Sequence, residues 1–363
     1  MTHLFKLSFS DAINYWNNFV FDQKTTVPFS FNPSLFYFYQ NHFHWKPYYL
    51  LLYENNEPVA LLPIVNTGIA WVSLPHFSYG GILFNNEFKI TAGRNLITKL
   101  INLIVSEKAG AGFYKIELDK LNVTSKNQNP KLFIRSYDNQ KDENFIKSEK
   151  VTSIIYLRDD KKQMFSALSS NLRRKLRKGE DNNLQVKHGG IELLSDFYTV
   201  YSKNIHHLKS LNYSKQFFKD LFIDYQYGIV RFFVVYQNQK PVGSSLLASY
   251  NGFYENLFFA SLLSTRKLYV SDQLHWQMIQ FILKQCKNSP FVSKNTIIYS
   301  LGRSTLLSSV HKYKSHWPVT DIPLFVYSDI KDYRQYDMIQ KVWKRVPFFI
   351  ARPLGAKLIK HIY

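Results

Sequence analysis

The segment that follows one predicted strand carries side chains suited to binding an anion. Thr296–Leu301 is an apolar run typical of a buried strand, and Gly302, Arg303 and Ser304 come directly after it. Glycine permits a sharp exit from a sheet, so we expect Arg303 and Ser304 beyond the strand's carboxyl end, where α/β sheets usually build sites. The guanidinium matches a carboxylate or phosphate, and Lys314 adds a second cation.

Two chemical roles suit this pair of cations. Arg303 and Lys314 could bind a donor phosphate or substrate carboxylate, or they could stabilise a tetrahedral oxyanion during acyl transfer. The structural alternative is that Arg303 pairs with a buried carboxylate and Lys314 is a solvated surface cation.

The composition is that of a globular protein with basic character. The 363 residues favour two domains, and a hydrophobic fraction of 45% with 17% aromatic residues excludes a largely disordered chain. A formal net charge of +20 indicates anionic partners or surfaces. The single cysteine, Cys286, excludes an internal disulfide framework and a cysteine-based zinc site.

The elements that must position the cations occur twice. Residues 48–65 and 231–248 share the pattern Tyr-x-Asn-x-x-Pro-Val, with apolar runs on both sides of a polar turn, which predicts a β-hairpin. In both copies a strand, a helix and a further strand follow, and the further strand begins 60 residues after the shared tyrosine. The predicted bounds are Ile69–Leu74, Thr91–Lys108 and Phe113–Leu118 in the first copy, and Tyr254–Ser261, Asp272–Lys287 and Thr296–Leu301 in the second.

This repeat predicts an α/β (α+β) protein built from two tandem units and a tail. We expect one unit over residues 1–150, a second over 151–330 and a basic amphipathic helical tail over 331–363. Each unit is expected to hold a mostly antiparallel mixed sheet flanked by helices. The composition of residues 121–150 predicts a partly looped linker, and a basic helix over 164–179 is expected to open the second unit.

The second unit and its surroundings resemble the FemAB-like proteins, which are tandem GNAT acyltransferases of cell-envelope and exopolysaccharide systems. The Gly302-Arg303-Ser304 motif and the later Tyr313-Lys314-Ser315-His316-Trp317 are similar to the Gly-Arg-Ser and Phe-Lys-x-x-Trp-Gly signature of that family. Tyr313 replaces the usual Phe, and Pro318 the usual Gly. The resemblance keeps its order from about residue 45 onward, through Pro75 to Gly81, Asn171 to Arg177, Ser271-x-x-Leu274-x-Trp276 and Val342 to Gly355.

In GNAT units, the fourth strand and the following helix form the acyl-donor site, which here are Tyr254–Ser261 and the helix after it. A helix N-terminus attracts phosphate, so the resemblance implies donor contacts from Ser304, from Arg266 and Lys267 in the connecting loop, and from Ser271 as helix N-cap. The plain alternative is a capped helix with two solvated cations.

Acyl transfer to an amine requires a base that takes the ammonium proton. Glu255 on the fourth strand, and Asp272 and His275 on the following helix, are the candidates. A helix N-terminus favours neutral imidazole, which suits His275 as a base. For each residue a structural role is the alternative: an ion pair for Glu255, a dipole partner for Asp272 and a satisfied helix histidine for His275.

A second cationic group is expected on the acceptor side. Arg173, Arg174, Lys175 and Arg177 lie on the predicted basic helix and could hold a phosphorylated acceptor, a transfer RNA or lipid headgroups; the alternative is a solvated basic face. The resemblance adds Tyr79 of the Tyr-Gly-Gly stretch to this group. No ligand set with metal spacing is present, so we expect no metal site.

The tail interleaves aromatic and apolar residues with cations. This pattern is typical of a membrane interface, although a helix packed on the second unit would also explain it. With no signal peptide and no span of about 20 apolar residues, we expect a cytoplasmic protein, attached at most peripherally to the inner face of a membrane.

The resemblance implies an N-acyltransferase that moves an acyl or aminoacyl group to the amine of a cell-envelope or polysaccharide precursor. Acyl-coenzyme A or aminoacyl-tRNA would be the co-substrate, with no tightly bound cofactor. The competing hypothesis is a catalytically inactive tandem fold that binds RNA or an anionic lipid surface through its basic helix. That protein would bind in a strongly salt-dependent way without turnover.

Overall fold

The computed structural model describes residues 2–17, 19, 27–54, 57–68, 70–84, 110–116, 145–158, 160–288, 297–328, 343 and 346–361. These residues form 13 strands and nine α-helices. The predicted helix at 91–108 and the linker up to residue 144 lie outside them.

The first part of the chain, up to residue 156, contributes seven strands and two helices to the described structure. They are β1 Thr2–Leu7, α1 Phe9–Asn17, α2 Leu35–Phe43, β2 Lys46–Glu54, β3 Glu57–Asn66, β4 Ala70–Ser73, β5 Leu83–Phe84, β6 Gly110–Ile116 and β7 Phe145–Tyr156. The boundary predicted between residues 150 and 151 falls inside β7.

The rest of the described chain contributes six strands and seven helices. They are α3 Lys161–Ser166, α4 Ser170–Asp181, β8 Gln185–Gly189, α5 Leu194–His207, α6 Lys215–Asp224, β9 Ile229–Gln237, β10 Lys240–Tyr250, β11 Phe253–Ser261, α7 Val270–Asn288, β12 Ile298–Thr305, α8 Ser309–Lys314, β13 Thr320–Ser328 and α9 Phe348–Leu358.

Both predicted hairpins are confirmed as the antiparallel pairs β2–β3 and β9–β10. In the second hairpin, Asn238 and Gln239 both have positive φ, at 48° and 62°. Two such residues give the turn whose twist matches that of the flanking strands. In each unit the strand that follows the hairpin pairs in parallel with a later strand of the same unit. These pairs are β4 with β6 and β11 with β12. The chain therefore consists of two tandem GNAT-like units.

The two units are joined into one sheet because each ends on a strand that pairs with the other unit. The strand order is β1-β2-β3-β4-β6-β13-β7-β12-β11-β10-β9-β8, with β5 beside β3. The last strand of the first unit, β7, lies next to β12 of the second, and the last strand of the second, β13, lies next to β6 of the first. β7 and β13 also pair with each other, so the sheet is continuous from one half to the other.

Apolar side chains alternate between the two faces of β9 to β12 and fill two cores. One face packs Phe253 and Leu257 against α5, α6 and the first unit. The other packs Tyr254 and Tyr299 against α4 and α7. Because neighbouring residues of a strand point to opposite faces, any functional side chain of β11 or β12 belongs to one of these two environments.

Two helix predictions need correction. The basic segment predicted as one helix over 164–179 is two helices, because Ser169 begins α4 by accepting a hydrogen bond from the Leu172 N–H at 3.2 Å. Ser271 is not an N-cap: α7 already begins at Val270, so Ser271 lies in its first turn, where its hydroxyl contacts Ser261 Oγ at 3.3 Å.

The exchange of strands predicts cooperative unfolding. Leu324 on β13 is fully buried in the shared core, and Leu324→Ala should lower the free energy of unfolding by about 2–5 kcal/mol while both units still unfold together. Urea denaturation followed by tryptophan fluorescence and circular dichroism measures this. Ile223→Ala, at a side chain 57% exposed, is the control and should cost less than about 0.5 kcal/mol. Two separate transitions in the wild type would contradict a single cooperative sheet.

Candidate functional site

Two parallel strands separate at the centre of the second unit. β11 and β12 pair from Phe253–Ile298 to Glu255–Ser300, and no further pairs follow within the described residues. Gly302, with φ of 76°, lies in the β12 irregularity between Ser300 and Arg303. β11 also shifts register against β10, around Phe258, whose φ is 52°. These bends turn the two strands apart and leave backbone edges open, which makes the split a natural place for a substrate.

Glu255 lies at the point where the strands part. Its side chain is fully buried, and neither carboxylate oxygen accepts a hydrogen bond of ordinary geometry from the described residues. Burial raises the pKa of Glu255 to about 8, although Ser78, Arg303 and Lys314 all act to lower it. A buried polar group without a partner is rare in folded proteins, and a carboxyl titrating near neutrality suits proton transfer.

Lys314 is also buried, with 6% of its surface exposed. Its ammonium donates hydrogen bonds to the backbone carbonyl oxygens of Gly302 at 2.6 Å and Arg303 at 3.1 Å. An ammonium has three N–H groups, so these two bonds within the described residues leave one for another acceptor. Burial lowers the pKa of Lys314 to about 8, with Arg303 also lowering it and Glu255 and Asp321 raising it.

The first unit reaches into this site through Ser78 and Tyr79. The Tyr79 hydroxyl hydrogen-bonds Thr152 Oγ1 and, at 2.8 Å, Ser300 Oγ. Burial has the dominant effect on the pKa of Tyr79 and raises it, Glu255 raises it further, and Arg303 lowers it. Tyr79 therefore helps to build the wall around the carboxyl, and its hydroxyl is already engaged by β7 and β12.

His275 lies on the opposite face of the sheet from Glu255. Its Nδ1 is 2.7 Å from the Tyr299 hydroxyl, and its ring stacks on Phe259 with centroids 4.5 Å apart. Burial, reinforced by the charge of Lys314, lowers the pKa of His275 to about 3, so the imidazole is neutral at physiological pH. Lys314 thus acts on both groups although they face different sides of the sheet.

Asp272 lies on the His275 face, at the start of α7. It is 5% exposed and accepts a hydrogen bond from the Tyr313 hydroxyl at 3.2 Å. Burial raises its pKa, while Lys175 of α4, the Tyr313 hydrogen bond and His316 lower it. The three predicted bases therefore do not form one group: Glu255 is on one face, and His275 and Asp272 are on the other.

Of the predicted donor contacts, Arg266, Lys267 and Ser271 lie at or just before the start of α7, whereas Ser304 lies within β12 and not beyond its end. Arg266 and Lys267 are exposed in a 3₁₀ segment, Leu263–Leu268, just before that helix. Ser304 is 7% exposed, and its hydroxyl has no hydrogen-bond partner within the described part of the chain.

The basic helix α4 packs on α7 and brings cations toward the same region. Lys175 is close to Asp272, as its effect on the pKa of that residue requires. Arg173 instead donates to the backbone oxygens of Ser166 and Leu168 at the end of α3, at 3.1 and 2.6 Å. Arg174 bonds Asn171 at 3.0 Å, and Arg177 is exposed. This helix presents its remaining cations to solvent beside the start of α7.

Sequence reasoning missed a polar pair behind Lys314. Asp321 on β13 lies 2.7 Å from His311 Nε2 and accepts from Ser153 Oγ at 2.6 Å. His311 and Lys314 are one turn apart on α8, so this contact ties the lysine's helix to the exchanged strand. His311 had no signal beyond its position near Lys314. In the described part of the chain, no group of three His, Cys, Asp or Glu side chains is placed to hold a metal ion.

Two GNAT-like units that exchange their last strands define a FemAB-like, tandem GNAT-type fold. Solved structures with this fold align along nearly the whole chain. FemX aligns with a TM-score of 0.57 and 10% identity over 93% of this chain and 100% of FemX. A tandem GNAT protein from the clavulanic acid biosynthesis pathway aligns with a TM-score of 0.55 and 6% identity, over 90% of this chain and 98% of that one.

The C-terminal domain of a putative lysylphosphatidylglycerol synthetase from Agrobacterium fabrum is also similar to this chain in fold. It aligns with a TM-score of 0.52 and 10% identity, over 92% of this chain and 96% of that domain. At these identities the similarity establishes the fold. The sequence matches no protein-family profile and no curated protein.

The buried carboxyl of Glu255 predicts a pH dependence of stability. Folding raises the pKa of the Glu255 carboxyl from 4.5 to about 8, so the folded protein binds this proton more tightly than the unfolded chain. The resulting stabilisation is complete below pH 4.5 and is lost as the pH rises through about 8. A pKa difference of one between the folded and unfolded states corresponds to about 1.4 kcal/mol. Glu255→Gln should therefore remove a decline in unfolding free energy between those pH values and be more stable than wild type at the upper end.

Chemical denaturation at a series of pH values measures this difference. Glu192→Gln, at an exposed carboxyl outside the site, should keep the wild-type decline in this window. A Glu255→Gln curve parallel to that of the wild type would show that the Glu255 carboxyl is ionised throughout.

Proposed function

We propose that the protein is an N-acyltransferase that moves an acyl or aminoacyl group from an activated donor to an amine on a cell-envelope or polysaccharide precursor. The fold, shared with a tandem GNAT protein and with FemX, supports transferase chemistry at a coarse level. The observation that carries the proposal is the fully buried carboxyl of Glu255 beside Arg303 and Lys314, where β11 and β12 part. Its oxygens have no hydrogen-bond partner of ordinary geometry among the described residues.

Glu255 is the general base in this proposal. The acceptor amine enters as an ammonium, passes one proton to the Glu255 carboxylate, and its nitrogen then attacks the donor carbonyl carbon. The carbonyl oxygen becomes an oxyanion, which the third N–H of Lys314 and the guanidinium of Arg303 stabilise. When the oxyanion collapses, the bond to the donor's leaving group breaks, and the attacking nitrogen gives its second proton to the departing sulfur or oxygen. The products are the amide and a thiol or ribose hydroxyl, and Glu255 releases the first proton to solvent.

The donor is proposed to lie on the α7 face. Arg266, Lys267 and the exposed cations of α4 are available there for phosphates, and Ser271 and Ser304 are proposed as further contacts. No glycine occurs between Leu262 and Asp272, so phosphate contacts would come from side chains more than from a close backbone approach. Both acyl-coenzyme A and aminoacyl-tRNA carry suitable phosphates.

A donor screen tests the proposed activity. Purified protein is incubated with acyl-coenzyme A or aminoacyl-tRNA and amino-sugar acceptors, and thiol or free tRNA is measured. We expect turnover with one donor class and a loss of about 10²–10⁴-fold in kcat for Glu255→Gln, with Glu192→Gln near wild type. If neither donor class is consumed while RNA still binds with strong salt dependence, the protein is the inactive RNA-binding alternative that the basic helix α4 favours.

The pH profile identifies the base. With an aromatic amine acceptor that stays neutral, kcat should rise with pH as Glu255 ionises and fall again as Lys314 loses its proton, because both groups have a pKa of about 8. If His275 were the base, its pKa of about 3 would leave the rate flat near neutrality. Steady-state rates at constant ionic strength measure this, and Glu255→Gln should lose the rise. A flat wild-type profile would exclude Glu255 from this role.

A further inference from the structure

The last helix, α9, is held against the second unit by one face only. Gly355 is buried so closely that a Cβ there would lie 2.6 Å from Asn212 Oδ1. The Asn212 amide donates to the Arg352 backbone oxygen at 3.0 Å, and the Arg352 guanidinium lies 4.8 Å from the centre of the Tyr198 ring. Phe348 contacts the ring of His206 on α5. These contacts fix the rotation of α9 about its axis.

The opposite face of α9 is apolar and open to solvent. Phe349 is 75% exposed, Ile350 44% and Leu354 41%. At 100° per residue, these side chains fall on one side of the helix together with the exposed Lys357, and the exposed Lys360 follows in the 3₁₀ turn Ile359–His361. Leu208, 56% exposed at the end of α5, follows His206, which packs on the same helix. We call Phe349, Ile350, Leu354, Lys357 and Lys360 the α9 patch.

The sequence segments that form and contact the α9 patch are basic. The sequence contains no Asp or Glu from Met338 to Tyr363, and none from Tyr201 to Lys219, the segment on which α9 packs. Exposed apolar side chains on a cationic background match an anionic bilayer, in which the apolar side chains enter the acyl boundary and the cations meet headgroups. Ile350 and Leu354 offer no ring on which a base could stack, which favours lipid over RNA.

We propose that the α9 patch docks the protein on an anionic membrane surface, with α9 lying in the plane of the interface. No described helix is long and apolar enough to cross a bilayer, so this is attachment at the surface. α9 packs on α5, which covers the face of the sheet that holds Glu255, whereas α4 and α7 cover the other face. Under the proposed function, the acceptor side therefore faces the lipid and the donor side faces the solvent.

Vesicle flotation tests the docking without requiring turnover. The full chain is mixed with vesicles of phosphatidylcholine containing about one third phosphatidylglycerol, and with vesicles of phosphatidylcholine alone. We expect binding to the anionic vesicles that weakens with salt. Leu354→Glu and Phe349→Glu replace exposed side chains, so they should fold normally and reduce the partition coefficient roughly tenfold or more. Tyr227→Glu, at a side chain 67% exposed on another part of the surface, is the matched control.

A second measurement locates the helix in the bilayer. Phe349→Trp places a tryptophan in the α9 patch, and brominated lipids should quench the emission of this variant more than that of the wild type, which has six tryptophans elsewhere. Wild-type protein that remains unbound to anionic vesicles would overturn the proposal, as would equal binding by Leu354→Glu. The proposal would also be overturned if the α9 patch bound transfer RNA and anionic vesicles did not compete for this binding. Because none of these readouts involves acyl transfer, membrane docking and the proposed activity can fail independently.

Discussion

The site depends on keeping the carboxyl group of Glu255 desolvated beside the cations of Arg303 and Lys314. Glu255 is fully buried where β11 and β12 separate, and burial outweighs the opposing influence of Arg303 and Lys314 on its pKa. A desolvated carboxyl near a desolvated ammonium is costly unless the surroundings hold both in place. Tyr79 and Ser78 of the first unit and the backbone oxygens of Gly302 and Arg303 provide that support. Both halves of the chain are therefore needed for a site that lies in the second.

The exchanged strands explain how the halves can meet with this accuracy. β7 carries Thr152, which engages Tyr79, and β13 carries Asp321, which holds the helix of Lys314 through His311. Each strand belongs to one unit by sequence and pairs with the other. The sheet also separates two chemical environments, because Glu255 and His275 lie on opposite faces. In our proposals the donor approaches the α7 face and a membrane-associated acceptor the other, with Lys314 acting between them.

The sequence predicted the fold better than the site. The repeated hairpin pattern predicted β2–β3 and β9–β10, since alternating apolar runs around a polar turn are local signals. The pairing partner of a strand is not determined by its own residues alone, so the exchange of β7 and β13 could not be predicted from their sequences. Likewise, residue type offered Glu255, Asp272 and His275 as alternative bases, but strand alternation places Glu255 on one face of the sheet, and α7 packs on the other. The positive charge of Lys314 was evident, whereas its burial follows from the packing of α8 on β12, which has no local signal in the sequence.

The protonation state of Glu255 in the folded protein tests the central claim most directly. Infrared difference spectroscopy of the wild type against Glu255→Gln, recorded across neutral pH, isolates the carbonyl stretch of this one carboxylic acid. The account predicts a protonated-carboxyl band below neutrality that disappears with a midpoint at about 8 and is missing from the variant. A carboxyl already ionised in mildly acidic solution would contradict it, because Glu255 would then be an ordinary hydrated or paired glutamate.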